Sequence, residues 1–281
     1  MQQSIEYIRS ELKGLYPSEE IEQFITIIFR HLCDYSRADL IIYKNKELSE
    51  SITAEIRRFT LRLKAYEPIQ YILGSAWFLE YTFNVRPGVL IPRPETEELI
   101  ELICAENPQP QRRVLDIGTG SGCIAVSLAL RLKESQVNAW DISPEALAIA
   151  SENATNNHAE VTFTRQDILN FDAACYPGRF DIIVSNPPYI CESEKTDMSE
   201  NVLNYEPHLA LFVEDTDPLL FYRRIAVAGL TLLQPGGKLY YEINARFGQE
   251  TRTMLEEAGY RDVCIVKDIH GKDRMIKAVR P

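Results

Sequence analysis

Apolar residues recur at three- and four-residue steps through the first seventy positions: Ile5, Ile8, Leu12 and Leu15, then Ile21, Phe24, Ile25, Ile28, Phe29 and Leu32. That spacing lays one apolar stripe along a helix. Pro17-Ser18-Glu19-Glu20 reads as a helix start, with Ser18 as the cap and acids in the first turn. Ile52, Ile56, Phe59 and Leu63 repeat the stripe over 51–64, and Glu67-Pro68 stops it. A small helical domain over 1–74 is expected. The period then changes: Trp77-Phe78-Leu79-Glu80-Tyr81-Thr82-Phe83-Asn84-Val85 is aromatic and β-prone, and Pro87-Gly88 follows as a turn signal. A hairpin linker over 75–93 is expected there.

From 94 to 281 strands and helices alternate. Strands are expected at 113–117, 136–141, 161–165, 180–185, 237–243, 262–267 and 274–279, and helices at 121–132, 144–156, 218–233 and 248–258. Alternation of this kind predicts an α/β fold with a mainly parallel sheet covered on both faces. The chain has 281 residues, 45% hydrophobic and 25% charged, the composition of an ordinary globular protein of about two domains. Long disorder and disulfide-dense miniproteins are excluded. Lys+Arg 30 against Asp+Glu 41 leaves a net charge of −11, a field that repels polyphosphate, so non-specific nucleic-acid binding is not expected. Cys33, Cys104, Cys123, Cys175, Cys191 and Cys264 stand singly, and His31, His158, His208 and His270 are isolated; no metal site is expected. No segment reaches the roughly 18 apolar residues of a membrane span. A cytoplasmic protein with reduced thiols is the expectation.

Three strand ends carry chemistry. Val114-Leu115-Asp116-Ile117-Gly118-Thr119-Gly120-Ser121-Gly122 runs from an apolar strand into a glycine turn and a helix. Such a turn brings backbone close to a ligand and aims helix N-terminal amides at it; the other reading is a purely structural turn. Its GxGxG spacing differs from the GxGxxG of dinucleotide folds. Asp141 ends the next strand, where a carboxylate can accept from both hydroxyls of a ribose. Asp167-Ile168 ends the third, suited to the edge and face of an adenine. Either Asp has an alternative reading as a cap or turn residue. The third signal, Ser185-Asn186-Pro187-Pro188-Tyr189, follows an apolar strand. Two prolines remove two amide donors and fix the backbone, leaving Asn186 and nearby carbonyls as rigid acceptors beside an aromatic ring. That set suits a planar NH2 group.

At these residues the sequence resembles S-adenosylmethionine-dependent methyltransferases acting on amide or exocyclic amine nitrogens. Pro68-Ile69-Gln70-Tyr71-Ile72-Leu73-Gly74, Val89-Leu90-Ile91-Pro92-Arg93-Pro94-Glu95-Thr96-Glu97, Tyr205-Glu206-Pro207 and Lys267-Asp268-Ile269-His270-Gly271-Lys272-Asp273-Arg274 narrow the resemblance to the release factor glutamine methyltransferase family. The segment Val213-Glu214-Asp215-Thr216-Asp217-Pro218 departs from it, since that family usually carries a glycine there.

The resemblance implies a Rossmann-like class I methyltransferase sheet behind a small helical substrate-recognition domain. It implies S-adenosylmethionine as cofactor, S-adenosylhomocysteine as product, and transfer to N5 of the Gly-Gly-Gln glutamine of class 1 release factors. The implied cofactor contacts are Gly118, Thr119, Gly120, Ser121, Gly122, Asp141, Asp167, Ile168 and Asn186. Asn186, Pro187, Pro188 and Tyr189 are the implied catalytic and substrate-binding residues, with Tyr189 against the amide plane. Arg93, Glu95 and Thr96 either line the cofactor's amino-acid end or form a rigid linker and helix start. The acidic stretch 192–206 reads as a solvated loop or as the rim of the substrate cleft. A monomer without direct nucleic-acid or membrane partners is expected. The alternatives are a ribosomal-protein glutamine methyltransferase and a DNA adenine-N6 methyltransferase.

Overall fold

The apolar stripes of the first seventy residues become α1 (Gln2–Leu12), α2 (Ser18–Cys33), α3 (Arg37–Ile42), α4 (Glu50–Lys64) and α5 (Ile69–Leu73) in a computed structural model that describes residues 1–172 and 180–281. Cys175 lies outside the described residues. Ile8, Leu12, Ile25, Ile28, Phe29, Ile56, Phe59 and Leu63 face one another in the core of this unit, because the three- to four-residue step stacks them on one side of each helix. Ser18 is not the cap of α2: Pro17 holds that place and no side chain bonds to it. α3 is stopped from fraying by a capping box in which Ser36 accepts from the Asp39 amide while Asp39 accepts from Ser36. This short helix and α5, closed by Gly74 at φ 74°, carry too few residues to show a period in the sequence.

The chain divides into two units, Met1–Gly74 with Ser199–Tyr205, and Ser75–Met198 with Glu206–Pro281. The second unit opens on the hairpin β1 (Ser75–Phe78) and β2 (Tyr81–Asn84), which turns at Leu79, φ 52°. Its inward residues Phe78 and Phe83 are fully buried in this unit's core. The chain continues through α6 (Pro94–Glu106), β3 (Arg113–Ile117), α7 (Cys123–Arg131), β4 (Gln136–Asp141), α8 (Pro144–Asn156), β5 (Val161–Arg165), β6 (Phe180–Ser185) and β7 (Ile190–Cys191). α9 (Glu200–Tyr205), in the first unit, precedes β8 (Phe212–Val213), α10 (Leu220–Leu232), β9 (Leu233–Glu242), α11 (Gly248–Glu257), β10 (Arg261–Lys267) and β11 (Asp273–Val279).

Seven strands form one sheet in the order β10-β11-β9-β6-β3-β4-β5. β9, β6, β3, β4 and β5 are parallel, and β11 pairs antiparallel with both β9 and β10. Successive residues alternate faces: Val114, Ile182 and Val184 join α6 and α7 in one core, while Leu115, Ile117 and Ile183 join α10 and α11 in the other. Strand order reverses between β3 and β6, so a crevice opens at their carboxyl ends, the position at which open α/β sheets bind ligands. Among the described residues, no helix is long and apolar enough to cross a membrane.

Candidate active site

The glycine turn after β3 is held mainly by its own backbone. Gly118 and Thr119 amides both donate to the Trp140 carbonyl, at 2.8 and 3.0 Å, and the Gly122 amide donates to the Thr119 carbonyl. Gly122 adopts φ +81°, and a Cβ there would stand 2.9 Å from the Ala150 Cβ; this glycine lets α7 approach α8. Behind the turn the Thr119 hydroxyl donates to Asp116 Oδ2 at 2.6 Å. Asp116 is 0% exposed, and burial, reinforced by the charge of Asp141, pushes its carboxyl up to about 7 against the Thr119 bond.

The two acidic strand ends both serve as local anchors. Asp141 Oδ2 accepts from the Gly120 amide and Oδ1 from the Ser143 amide, each at 2.9 Å. Burial raises its carboxyl above the usual range, opposed by those amides. Asp167 accepts from the Leu169 amide at 2.9 Å and from Asn170 Nδ2 at 2.5 Å, the capping role that the sequence left open. Carboxylate oxygens retain further acceptor sites in both cases.

The Asn-Pro-Pro-Tyr turn is held by side chains. Asn186 Nδ2 donates to Thr96 Oγ1 at 3.3 Å, and Thr96 Oγ1 donates to Glu242 Oε2 at 2.6 Å. The Tyr189 hydroxyl donates to Glu242 Oε1 at 2.9 Å, and Asn244 Nδ2 donates to the Tyr189 carbonyl. Glu242 ends β9 and is 1% exposed. Burial raises its carboxyl, while the bonds from Thr96 and Tyr189 and the charge of Arg274 pull the other way. Burial likewise holds the Tyr189 phenol well above its usual range. The sequence reading missed Glu242, although an acid inside the apolar run Leu239-Tyr240-Tyr241-Glu242-Ile243 signals a buried charge with partners.

These turns wall one cavity of about 320 Å3, within the range of small-molecule sites. Gly118, Thr119, Ser121, Asp141, Asp167, Ile168, Asn186, Pro187 and Pro188 line it, joined by Arg93 and Thr96. Gly120, Gly122 and Glu95 do not line it, and neither does Tyr189, whose hydroxyl is committed to Glu242. Arg93 pairs with Glu206 at 2.5 Å, and the same carboxylate accepts from the Ile91 amide at 3.0 Å. Glu206 is 3% exposed, so the end of the acidic stretch is a buried anchor instead of a solvated loop. The cavity fits an adenosyl cofactor: Gly118, φ +78°, has only open space where a Cβ would project, a carboxylate stands at Asp141, and Ile168 supplies an apolar face.

The family model described as Methyltransferase small domain matches residues 94–208, and PrmC N-terminal domain matches residues 3–74. Two solved methyltransferases share the fold. One from Pyrococcus furiosus is 16% identical, covers 83% of this chain and 99% of its own, and has a TM-score of 0.54. The 16S rRNA N2 G1207 methyltransferase of T. thermophilus is 21% identical, covers 74% of this chain and 50% of its own, and has a TM-score of 0.53. A release factor glutamine methyltransferase of Bacteroides thetaiotaomicron is 53% identical over 98% of both chains. The Flavobacterium psychrophilum protein of the same name is 45% identical over 95% of this chain and 94% of its own. With likeness at that level spanning nearly the whole chain, the chain belongs to the release factor glutamine methyltransferase family.

Proposed function

We propose that this protein transfers a methyl group from S-adenosylmethionine to the side-chain amide nitrogen, N5, of the glutamine in the Gly-Gly-Gln motif of class 1 release factors. The observation that carries this reading is the cavity itself, where the glycine turn and the Asn186-Pro187-Pro188 turn share one wall. Gly118, Thr119, Ser121, Asp141, Asp167 and Ile168 would hold the cofactor, with Gly120 and Gly122 shaping the turn. When bound, S-adenosylmethionine supplies a sulfonium methyl, an electrophilic carbon with a neutral thioether behind it.

The chain's own work is positioning. A primary amide nitrogen is a weak nucleophile because its lone pair is delocalised into the carbonyl. Asn186 Oδ1 and the Pro187 carbonyl accept its two N–H bonds, fixing its direction and favouring positive charge as it develops on nitrogen, and the surplus N–H proton passes to solvent after transfer. Pro187 and Pro188 carry no N–H to compete for those acceptors. Tyr189 acts from behind, through its bond to Glu242, and not as a wall of the cavity. The helical unit takes the body of the release factor, supplying binding energy remote from the reacting amide. We assign a cytoplasmic monomer that binds no nucleic acid directly.

The test is methyl-labelled S-adenosylmethionine with unmethylated release factor, beside the same factor with its Gly-Gly-Gln glutamine changed to alanine. Label is expected in the unaltered factor alone, and a short Gly-Gly-Gln peptide is expected to show kcat/KM lower by about 100-fold or more. Equal labelling of both factors, or label only in ribosomal protein or DNA, overturns the reading.

A further inference from the structure

Glu242 does not line the cavity, yet both ends of the Asn-Pro-Pro-Tyr turn lead to its carboxylate, Tyr189 directly and Asn186 through Thr96. The geometry points to Glu242 and Thr96 as positioning residues that set which edge of the Asn186 amide faces the substrate. This inference rests on the amide-methylation reading above and goes beyond it.

The argument is one of hydrogen-bond polarity. An ionised carboxylate only accepts, and a threonine hydroxyl has one proton. Thr96 gives that proton to Glu242 Oε2 at 2.6 Å. Its oxygen is then left with lone pairs alone, so Asn186 must turn its NH2 toward Thr96, as it does at 3.3 Å. Oδ1, on the opposite edge of the amide, is thereby the free edge, and Asn186 lines the cavity. The acceptor needed for a substrate NH2 group is set by a carboxyl group two hydrogen bonds away. Were Glu242 not an acceptor, the Thr96 hydroxyl would be free to donate to Asn186 Oδ1. The amide would flip and oppose one NH2 with another.

The second oxygen of Glu242 takes the Tyr189 hydroxyl, so one carboxylate clamps a turn whose two central residues cannot donate from their backbones. The groups around this carboxylate are Arg274, which favours its ionised form, Glu95, which opposes it, and the Tyr222 hydroxyl, which donates to the Glu242 main-chain carbonyl at 3.1 Å. Each end of the chain of bonds is therefore directional.

The experiment compares the full-length enzyme with Thr96→Val, Thr96→Ser and Glu242→Gln, all checked for unchanged thermal unfolding. Thr96→Val keeps the side-chain shape and removes the hydroxyl. Its kcat on release factor is expected to fall by about 10- to 100-fold, with KM for the factor and Kd for S-adenosylmethionine within about threefold. Thr96→Ser, which restores the hydroxyl, is expected to recover most of that loss. Glu242→Gln offers a single oxygen acceptor where the Thr96 and Tyr189 hydroxyls each need their own, and kcat is expected to drop by at least about fivefold. On an Asn186→Ala background, Thr96→Val is expected to cost less than about twofold more, because its effect runs through Asn186.

Wild-type kcat in Thr96→Val, a loss confined to KM or Kd, or a full additional loss beside Asn186→Ala overturns the proposal. A second readout needs no substrate. The Asn186 side-chain NH2 signals in 1H–15N spectra, assigned by their absence in Asn186→Ala, are expected to exchange slowly in the wild type and Thr96→Ser and fast in Thr96→Val. Unprotected signals in the wild type refute the relay even if methylation of release factor is upheld. Protected signals that open in Thr96→Val uphold it even if the acceptor is another protein.

Discussion

The two turns at the carboxyl edge of the sheet are each backed by a buried carboxylate that accepts a hydroxyl, and they differ in how complete that backing is. Asp116 accepts the Thr119 hydroxyl on Oδ2, and its Oδ1 has no hydrogen-bond partner among the described residues. Glu242 accepts from both Thr96 and Tyr189, with the charge of Arg274 close by. The glycine turn has backbone donors to spend, on the Trp140 carbonyl and on Asp141, so its shape does not depend on one side chain. The Asn-Pro-Pro-Tyr turn has surrendered two amides to proline and must be held by side chains instead. A turn built for rigidity without backbone donors therefore carries its support one layer deeper in the protein.

Three substitutions would break or sharpen that contrast. The largest effect is expected at Asn186→Ala, which removes the acceptor that we propose for the substrate amide. Turnover should fall by about 10³-fold, or about 4 kcal/mol, while Kd for S-adenosylmethionine measured by calorimetry changes little. Next is Gly122→Val, which places a branched Cβ at φ +81° and 2.9 Å from the Ala150 Cβ. It should cost about 3 kcal/mol of stability by denaturant titration and weaken cofactor binding with it. The smallest is Asp116→Asn. The folded chain holds the Asp116 proton up to about 7, against an ordinary value of 3.8. The stability this provides is full below 3.8 and is lost as pH rises through about 7. The Asn variant lacks that dependence, so its stability relative to wild type should rise by about 2 kcal/mol between pH 5 and pH 8, read from unfolding at both values.

The period of the apolar residues made the sheet strands and long helices legible, since burial on one face or both imposes a repeat that needs no partner to be read. Gln136–Asp141, Pro144–Asn156, Val161–Arg165 and Phe180–Ser185 stand where the pattern placed them. β9 starts earlier than expected, at Leu233, because Pro235-Gly236-Gly237 reads as a turn while its neighbours still pair. Asp141, Asp167 and Asn186 were visible as polar groups at strand ends. What holds Asn186 was not, because Thr96 bonds to it from 90 positions away and Glu242, 56 positions on, bonds to Thr96 and Tyr189, and only the folded sheet brings them together. The same holds for Glu206, which reads as one more acid in a charged stretch until Arg93 and the Ile91 amide are found against it.

The return of Ser199–Tyr205 to the helical unit bears on how such a chain can be recombined. The Tyr205 hydroxyl donates to the Ala65 carbonyl at 2.7 Å, so α9 is a component of that unit although the chain reaches it only after the Asn-Pro-Pro-Tyr turn. A crossover at Gly74 would deliver five helices without their sixth and leave the recipient holding a segment shaped for another partner. Exchange of the helical unit between relatives requires three matched breakpoints, after Gly74 and on either side of Ser199–Tyr205.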